Sequence, residues 1–154
     1  MPQVSAALLL YRQGPTGLEV LLVHPGGPFW ARKDEGAWSI PKGLCDPHEN
    51  PAEAARREFA EETGHTPRGT LLALGSFRQS SAKQVEAFAL EGDFDPVSLR
   101  SNMFEMEWPP RSGRRKSFPE ADRAEWFSLD LARRKLVKGQ VQVLDALADR
   151  ISGD

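Results

Sequence analysis

The sequence predicts an α/β fold, and three observations carry that prediction. Residues 4–25 hold two apolar, strand-length runs separated by a turn, and residues 50–64 carry complete helix punctuation. Period-2 strand patterns further along give way to helical spacing in residues 131–151. With 154 residues, 40% of them hydrophobic, the chain has the size and the apolar content of one domain, and a single domain over residues 1–154 is expected.

VSAALLLYR and LEVLLVHPG flank QGPTG, whose Gly and Pro favour a turn, so residues 4–25 read as a hairpin. A Gly-rich, aromatic loop, HPGGPFWARKDEG, leads to AWSIPKG, a short strand stopped by Pro41 and Gly43. The helix comes next. Asn50 is a good N-cap, Pro51 suits the first turn, Glu53 stands where it can close a capping box, and Gly64 is a natural terminator. Ala52, Ala55, Phe59 and Thr63 are expected to form its packing face, with Glu58, Glu61 and Glu62 on the neighbouring polar face. TLLALGSFRQ and KQVEAFALEG read as a second hairpin. FEMEWPP alternates Phe104, Met106 and Trp108 with Glu105 and Glu107, as a half-buried strand does, and AEWFSL is another strand. LARRKLVKGQVQVLDALADRI has helical spacing at Val141, Leu144, Leu147 and Ile151, with a break near Gly139.

Charge and cysteine content narrow the function. Twenty Lys+Arg against 22 Asp+Glu leave a formal charge of -2, so no nucleic-acid partner is expected, and phosphate binding has to be local. A single cysteine, Cys45, excludes an internal disulfide framework, and no Cys/His cluster has zinc-like spacing, which favours a reducing compartment. VSAALLLYR is too short to span a bilayer and lacks a basic leader, and no other run approaches about 20 apolar residues. A cytoplasmic protein with no membrane partner is expected.

REFAEETG sets Glu58, Glu61 and Glu62 at spacings of i, i+3 and i+4, side by side on a helix with Arg57 as their close positive neighbour. Each exposed like-charge pair costs only about 0.2–0.5 kcal/mol, so a solvated acidic face explains the spacing as it stands. Anchorage by Phe59 and the alanines adds something further: it can hold the carboxylates at fixed separations, as a hard divalent cation with oxygen ligands requires.

From Gly43 the chain runs GLCDPHENPAEAARREFAEETGH, which resembles the box of the Nudix hydrolases: Gly, five residues, Glu, seven residues, Arg-Glu, an apolar residue, any residue, Glu-Glu, any residue, Gly, then a hydrophobic residue. Gly43, Glu49, Arg57, Glu58, Phe59, Glu61, Glu62 and Gly64 match, and His65 departs from the last position. Seven are fixed identities; at about one position in fifteen for each type, a chance match at a given start is on the order of one in 10⁸. The resemblance covers residues 43–65 and implies an α/β/α sandwich with a mixed β-sheet. It also implies hydrolysis of a pyrophosphate linkage, with Mg²⁺ or Mn²⁺ as cofactor. Glu58 and Glu62 would be direct ligands, Glu61 a ligand directly or through water, and the backbone carbonyl at Lys42 or Gly43 a further one. Arg57 would orient the cluster, with Glu49 among its partners.

Other residues extend the expected site. Lys42, in the Ile40–Gly43 tetrapeptide, resembles the entry seen in Nudix enzymes acting on dinucleoside polyphosphates and diphosphoinositol phosphates, and offers a point charge to a phosphate. Phe29, Trp30 and Trp38 either stack on a base or simply pack. RSGRRK offers Arg111, Arg114, Arg115 and Lys116 to a polyphosphate, or is a solvated hairpin tip. By resemblance a general base arrives from a loop ahead of a late Trp-bearing strand; SFPEADRAEWFSL puts Glu120 there, with Asp122 beside it and Glu105 and Glu107 in reserve. The expected substrate is a small nucleotide or polyphosphate: a nucleoside diphosphate linked to another group X, favouring dinucleoside polyphosphates or other extended polyphosphates. A housecleaning nucleoside triphosphate pyrophosphatase or a nucleotide-sensing domain without turnover are the alternatives, and a monomer or a homodimer is equally compatible.

Overall fold

The computed structural model describes residues 3–152; residues 1–2 and 153–154 of the expected domain lie outside the described range. Strands β1 (Gln3–Gly14) and β2 (Gly17–Pro25) form the expected antiparallel hairpin, closed at Gly14 and Gly17. Strand β3 (Lys42–Leu44) runs antiparallel to the first half of β1, pairing Ala7 with Lys42 and Ala6 with Gly43. One edge of β1 thus serves β3 and then β2, while its other edge pairs in parallel with β5 (Lys83–Glu91). Strand β4 (Leu72–Ser80) flanks β5 antiparallel, and β8 (Ala121–Ser128) flanks β2, giving a mixed sheet of order β4-β5-β1-β2-β8 with β3 beside β1. Strands β6 (Met103–Glu107) and β7 (Arg115–Pro119) pair only with each other, as a separate hairpin arm.

The unbroken apolar runs of β1 and β2 are explained by burial on both faces. Ala6, Leu8 and Leu10 with Leu21 and Val23 point to one side, where α1 (Pro51–Thr63) packs through Ala54, Ala55 and Phe59. Ala7, Leu9, Val20 and Leu22 point to the other and meet Leu136, Val143, Leu144 and Leu147 from the C-terminal helices α2 (Leu129–Lys135) and α3 (Val141–Ser152) and the segment between them. This is the α/β/α sandwich.

Several local expectations need correction. The packing residue of α1 is Ala54 rather than Ala52, which is only half-buried, and the cap is made by the Asn50 side chain accepting from the backbone N–H groups of Ala52 and Glu53, with the Glu53 side chain exposed. The strand expected over 37–43 begins only at Lys42; Trp38 and Ser39 make isolated bridges to Leu136 and Val23. The last helical stretch breaks at Leu136, before Gly139, and a short 3-10 turn leads into α3. Strand β7 begins at Arg115, inside the expected 111–116 hairpin tip, and runs to Pro119 through the stretch expected to be a loop.

Candidate active site

The site lies where the end of β3, the polar face of α1 and the turn between β7 and β8 meet. Gly43 is required by proximity: a Cβ there would stand 1.9–2.4 Å from the Glu58 carboxylate, so only glycine lets that side chain lie against the strand. Arg57 organises the acids. Its Nε and Nη2 donate to both oxygens of Glu49 at 2.9 and 3.0 Å, Nη1 donates to Glu58 Oε1 at 2.8 Å and to Glu61 Oε2 at 3.3 Å, and Nη2 also reaches the Leu44 carbonyl. The Arg57 hydrogen bond is the main reason the Glu49 carboxyl lies below the usual carboxylate range, and the Arg57 guanidinium is in turn held more firmly protonated, chiefly by Glu49.

Glu58, Glu62 and Glu120 have the opposite problem. Glu62 Oε2 is buried and has no hydrogen-bond partner. Burial, with the charges of Glu120 and Glu58 adding to it, pushes the Glu62 carboxyl from 4.5 up to about 8, against the pull of Lys42. Burial raises Glu58 too, with the Glu61 charge adding to it, while Arg57 opposes the rise. Glu120, exposed as a residue, has its carboxyl raised by partial desolvation and then by the charges of Glu58 and Glu61. Lys42, half-buried at the head of β3, has its ammonium pushed down by burial, with Glu62 resisting.

Long-range backbone bonds place Glu120. Its N–H donates to the Asn102 carbonyl, its carbonyl accepts from Gly26, and the Asn102 N–H donates to the Glu61 carbonyl near the end of α1. Gly26 admits no side chain, since a Cβ would fall 1.9 Å from the Pro119 carbonyl oxygen. These positioning residues escape sequence reading because each acts through a partner far away in the chain. Asp122, two residues on, faces elsewhere: it bonds Nδ1 of buried His24 at 2.8 Å, while His24 Nε2 bonds the Lys33 carbonyl. Glu105 pairs with Arg115, and Glu107 accepts the N–H groups of Arg111 and Gly113, so both reserve acids are occupied on the hairpin arm.

Trp38 is a correction. At 1% exposure it is part of the core, its indole N–H donating to Asp34 and its ring meeting His24 and Phe127, so it presents no face to a base. Phe29 and Trp30, 59% and 38% exposed, are the accessible aromatics of that loop. Arg111 and Arg114 are exposed at the tip of the β6–β7 arm. His65, where the box resemblance calls for a hydrophobic residue, packs its ring toward Phe59 and Phe94 and so takes over an apolar contact.

The donor set fits a hard divalent cation: an orphaned buried carboxylate oxygen among acids that raise one another, beside a glycine strand that admits Glu58. Among the described residues no three His, Cys, Asp or Glu side chains form a ready ligand cluster; Glu58 and Glu61 are held by hydrogen bonds from Arg57.

Fold and site define an α/β/α sandwich that carries a helix-borne glutamate cluster at the end of a short strand. The chain belongs to the Nudix family: the NUDIX domain family model matches residues 1–147. That family generally uses divalent metals such as Mg²⁺ or Mn²⁺. Two curated proteins named RNA pyrophosphohydrolase are similar to parts of the chain. The one from Rhodospirillum rubrum is 42% identical over 66 residues, 41% of this chain and 38% of that protein. The one from Cellvibrio japonicus is 42% identical over 50 residues, 31% and 29% respectively. The match therefore spans well under half the length of either relative. Among solved structures, a Caenorhabditis elegans Ap4A hydrolase binary complex superposes with TM-score 0.68 at 22% identity, covering 97% of this chain and 99% of that one. The NUDIX domain of Shewanella oneidensis NrtR complexed with ADP ribose gives 0.68 at 16%, covering 98% and 89%. At these identities the likeness is one of fold. Among the described residues no helix is long and apolar enough to cross a membrane.

Proposed function

We propose that the protein is a divalent-cation-dependent pyrophosphohydrolase acting on a nucleoside diphosphate linked to a further group, with extended polyphosphates favoured over simple nucleoside triphosphates. The observation that carries this reading is the unpartnered Glu62 oxygen, buried beside Glu58 and coupled to Glu120. Buried charge without a partner is costly, and a cation is a partner that neighbouring carboxylates can share by turning toward it. Glu58, Glu61, Glu62 and the Gly43 carbonyl would hold it, and Arg57 keeps Glu58 and Glu61 aimed from the side of Glu49. A bound cation supplies charge neutralisation at the phosphate oxygens, where anionic repulsion otherwise bars attack. Lys42 reaches the same region as a point charge, and Glu120 offers a carboxylate to take the proton of the attacking water. Extended substrates are supported by Lys42, a cation within electrostatic reach of Glu62 and Glu58 that further phosphates can engage.

The test is a panel of nucleoside triphosphates, dinucleoside polyphosphates and 5′-polyphosphorylated RNA, assayed for phosphate or pyrophosphate release with Mg²⁺. The RNA belongs in it because both curated relatives are named RNA pyrophosphohydrolase. Turnover of at least one class is expected. Glu62→Gln should lower it by at least about 10², roughly 2.7 kcal/mol of transition-state stabilisation, and near-parent activity in that variant would overturn the assignment.

A further inference from the structure

The β6–β7 arm has two unlike faces. In an antiparallel pair, residues directly opposite share a face, so Phe104 with Phe118, Met106 with Lys116, and Trp108 with Arg114 lie together. The opposite face holds Glu105 with Ser117 and Glu107 with Arg115. The aromatic face looks onto the loop after β2: Gly27 lies against the Phe104 ring, and Phe29 meets Trp108 edge-on at 5.5 Å between centroids. Phe29 nevertheless stays 59% exposed. Trp30, with the Lys33 ammonium 5.3 Å from its ring centroid, continues the same loop. The result is a strip on which the half-buried rings of Phe104, Phe118 and Trp108 and the open rings of Phe29 and Trp30 lie among exposed cations: Lys116, Arg114, Lys33 and, at the tip, Arg111.

The strip has a fixed origin and length. It starts at Glu120, next to Pro119 at the end of β7, and the six steps from Glu120 to Arg114 at about 3.4 Å each carry it about 20 Å outward. Its far end is built rather than slack. Arg111 holds a left-handed φ of 63°, uncommon for a residue with a side chain, and the Glu107 carboxylate fixes that turn by accepting the N–H groups of Arg111 and Gly113.

We infer that this strip docks a single-stranded oligonucleotide, which presents phosphates and bases together over such a length, as the strip presents cations and rings. A dinucleoside polyphosphate gathers its phosphates in one block with a single base beyond, and would use only one end of such a surface. Aromatic rings beside a cationic track are the general means of holding single strands without reading their sequence. The inference goes beyond the hydrolase reading and rests on it only for direction, the 5′ end lying toward Glu120.

Fluorescence anisotropy of a labelled RNA decamer with a 5′-hydroxyl tests it on the full chain, since a decamer without a 5′ phosphate anhydride is no substrate and binds or fails to bind whatever the chemistry. Binding that weakens with salt is expected. Replacing both Arg114 and Lys116 with Glu should cut affinity at least about tenfold and flatten the log–log salt slope by about 1.4, two phosphate contacts of a single strand. Phe29→Ala should cut it about fivefold or more, the loss of one stacked base. A DNA decamer bound equally well, or less well, keeps the proposal and separates backbone from 2′-hydroxyl contacts. Unchanged affinity in the charge-reversed variant overturns it, as does a duplex bound as tightly as the single strand. A dinucleoside polyphosphate that binds as tightly as the decamer and loses as much by the same substitutions also overturns it, assigning the strip to a small substrate. Because every substituted side chain is exposed, unchanged melting temperatures should accompany these losses.

Discussion

Gly43 is constrained by the Glu58 side chain against it, and Glu62 by its burial. A methyl group at Gly43 would press on the free end of the Glu58 side chain, which can swing away, so Gly43→Ala should keep the fold but displace a proposed ligand. The expected outcome is a melting temperature close to the parent's with turnover down at least about tenfold. Glu62 makes a stability prediction whose sign can be worked out. Its folded carboxyl titrates at about 8 against 4.5 ordinarily, so between those values the folded state holds the extra proton, and the parent loses stability as pH rises across the window. With metal chelated, Glu62→Gln should remove that loss and melt above the parent on the alkaline side of the window; thermal scans on both sides check it. The spacing of these glutamates was legible in the sequence because a single helix sets it. Trp38 was misread because nothing local distinguishes a loop tryptophan that stacks from one that lies beneath the sheet beside Phe127.

The helix that bears the acids is fastened at both ends and through its middle. Asn50→Ala removes the cap at Ala52 and Glu53 and should cost about 1 kcal/mol, whereas Phe59→Ala, at 0% exposure, should cost about 3–5 kcal/mol in denaturant titrations. The β7–β8 turn gives a different forecast. Glu120→Gln should lower kcat by about 10² to 10⁴ with KM and melting temperature little changed, because Asn102 and Gly26 hold its backbone regardless of the side chain. A kcat within about threefold of the parent, well below the effect expected of a base, would move that role to Glu61. Helix α1 and the β1–β2 hairpin were readable because their signals are local caps, turns and apolar runs. Strand β7 was not, since Arg115, Lys116 and Ser117 show no alternation of their own and the pairing comes from β6.

At the scale of the molecule, the loop between β2 and β3 is tied to α2, to the core on that side of the sheet and to β2. Asp34 accepts from Lys135 Nζ at 2.5 Å and from the Trp38 indole at 2.8 Å, joining the loop to α2 and the core, while His24 holds the Lys33 carbonyl from β2. The Lys135 bond, with the Trp38 bond next, holds the Asp34 carboxyl below its ordinary value. Its stabilisation is therefore fully present above the ordinary carboxylate range and is lost as pH falls through the depressed value. Asp34→Asn should lower the melting temperature at neutral pH, and the gap to the parent should close in acid. The sheet order itself was only partly foreseeable: the hairpins follow from turns, but the parallel pairing of β1 with β5 joins strands some eighty residues apart and leaves no local trace.

That pairing also imposes a timetable on synthesis. Strand β1 can pair with β2 and β3 once Leu44 has left the ribosome, yet its other edge waits for its partner until Lys83–Glu91 emerges. During that interval a nearly continuous apolar strand presents open backbone groups, the condition under which nascent chains cling to one another or to chaperones. Chains arrested before residue 83 should consequently be insoluble or chaperone-bound, and those released after residue 91 should be markedly less so, a contrast that pelleting of translation products of graded length would reveal.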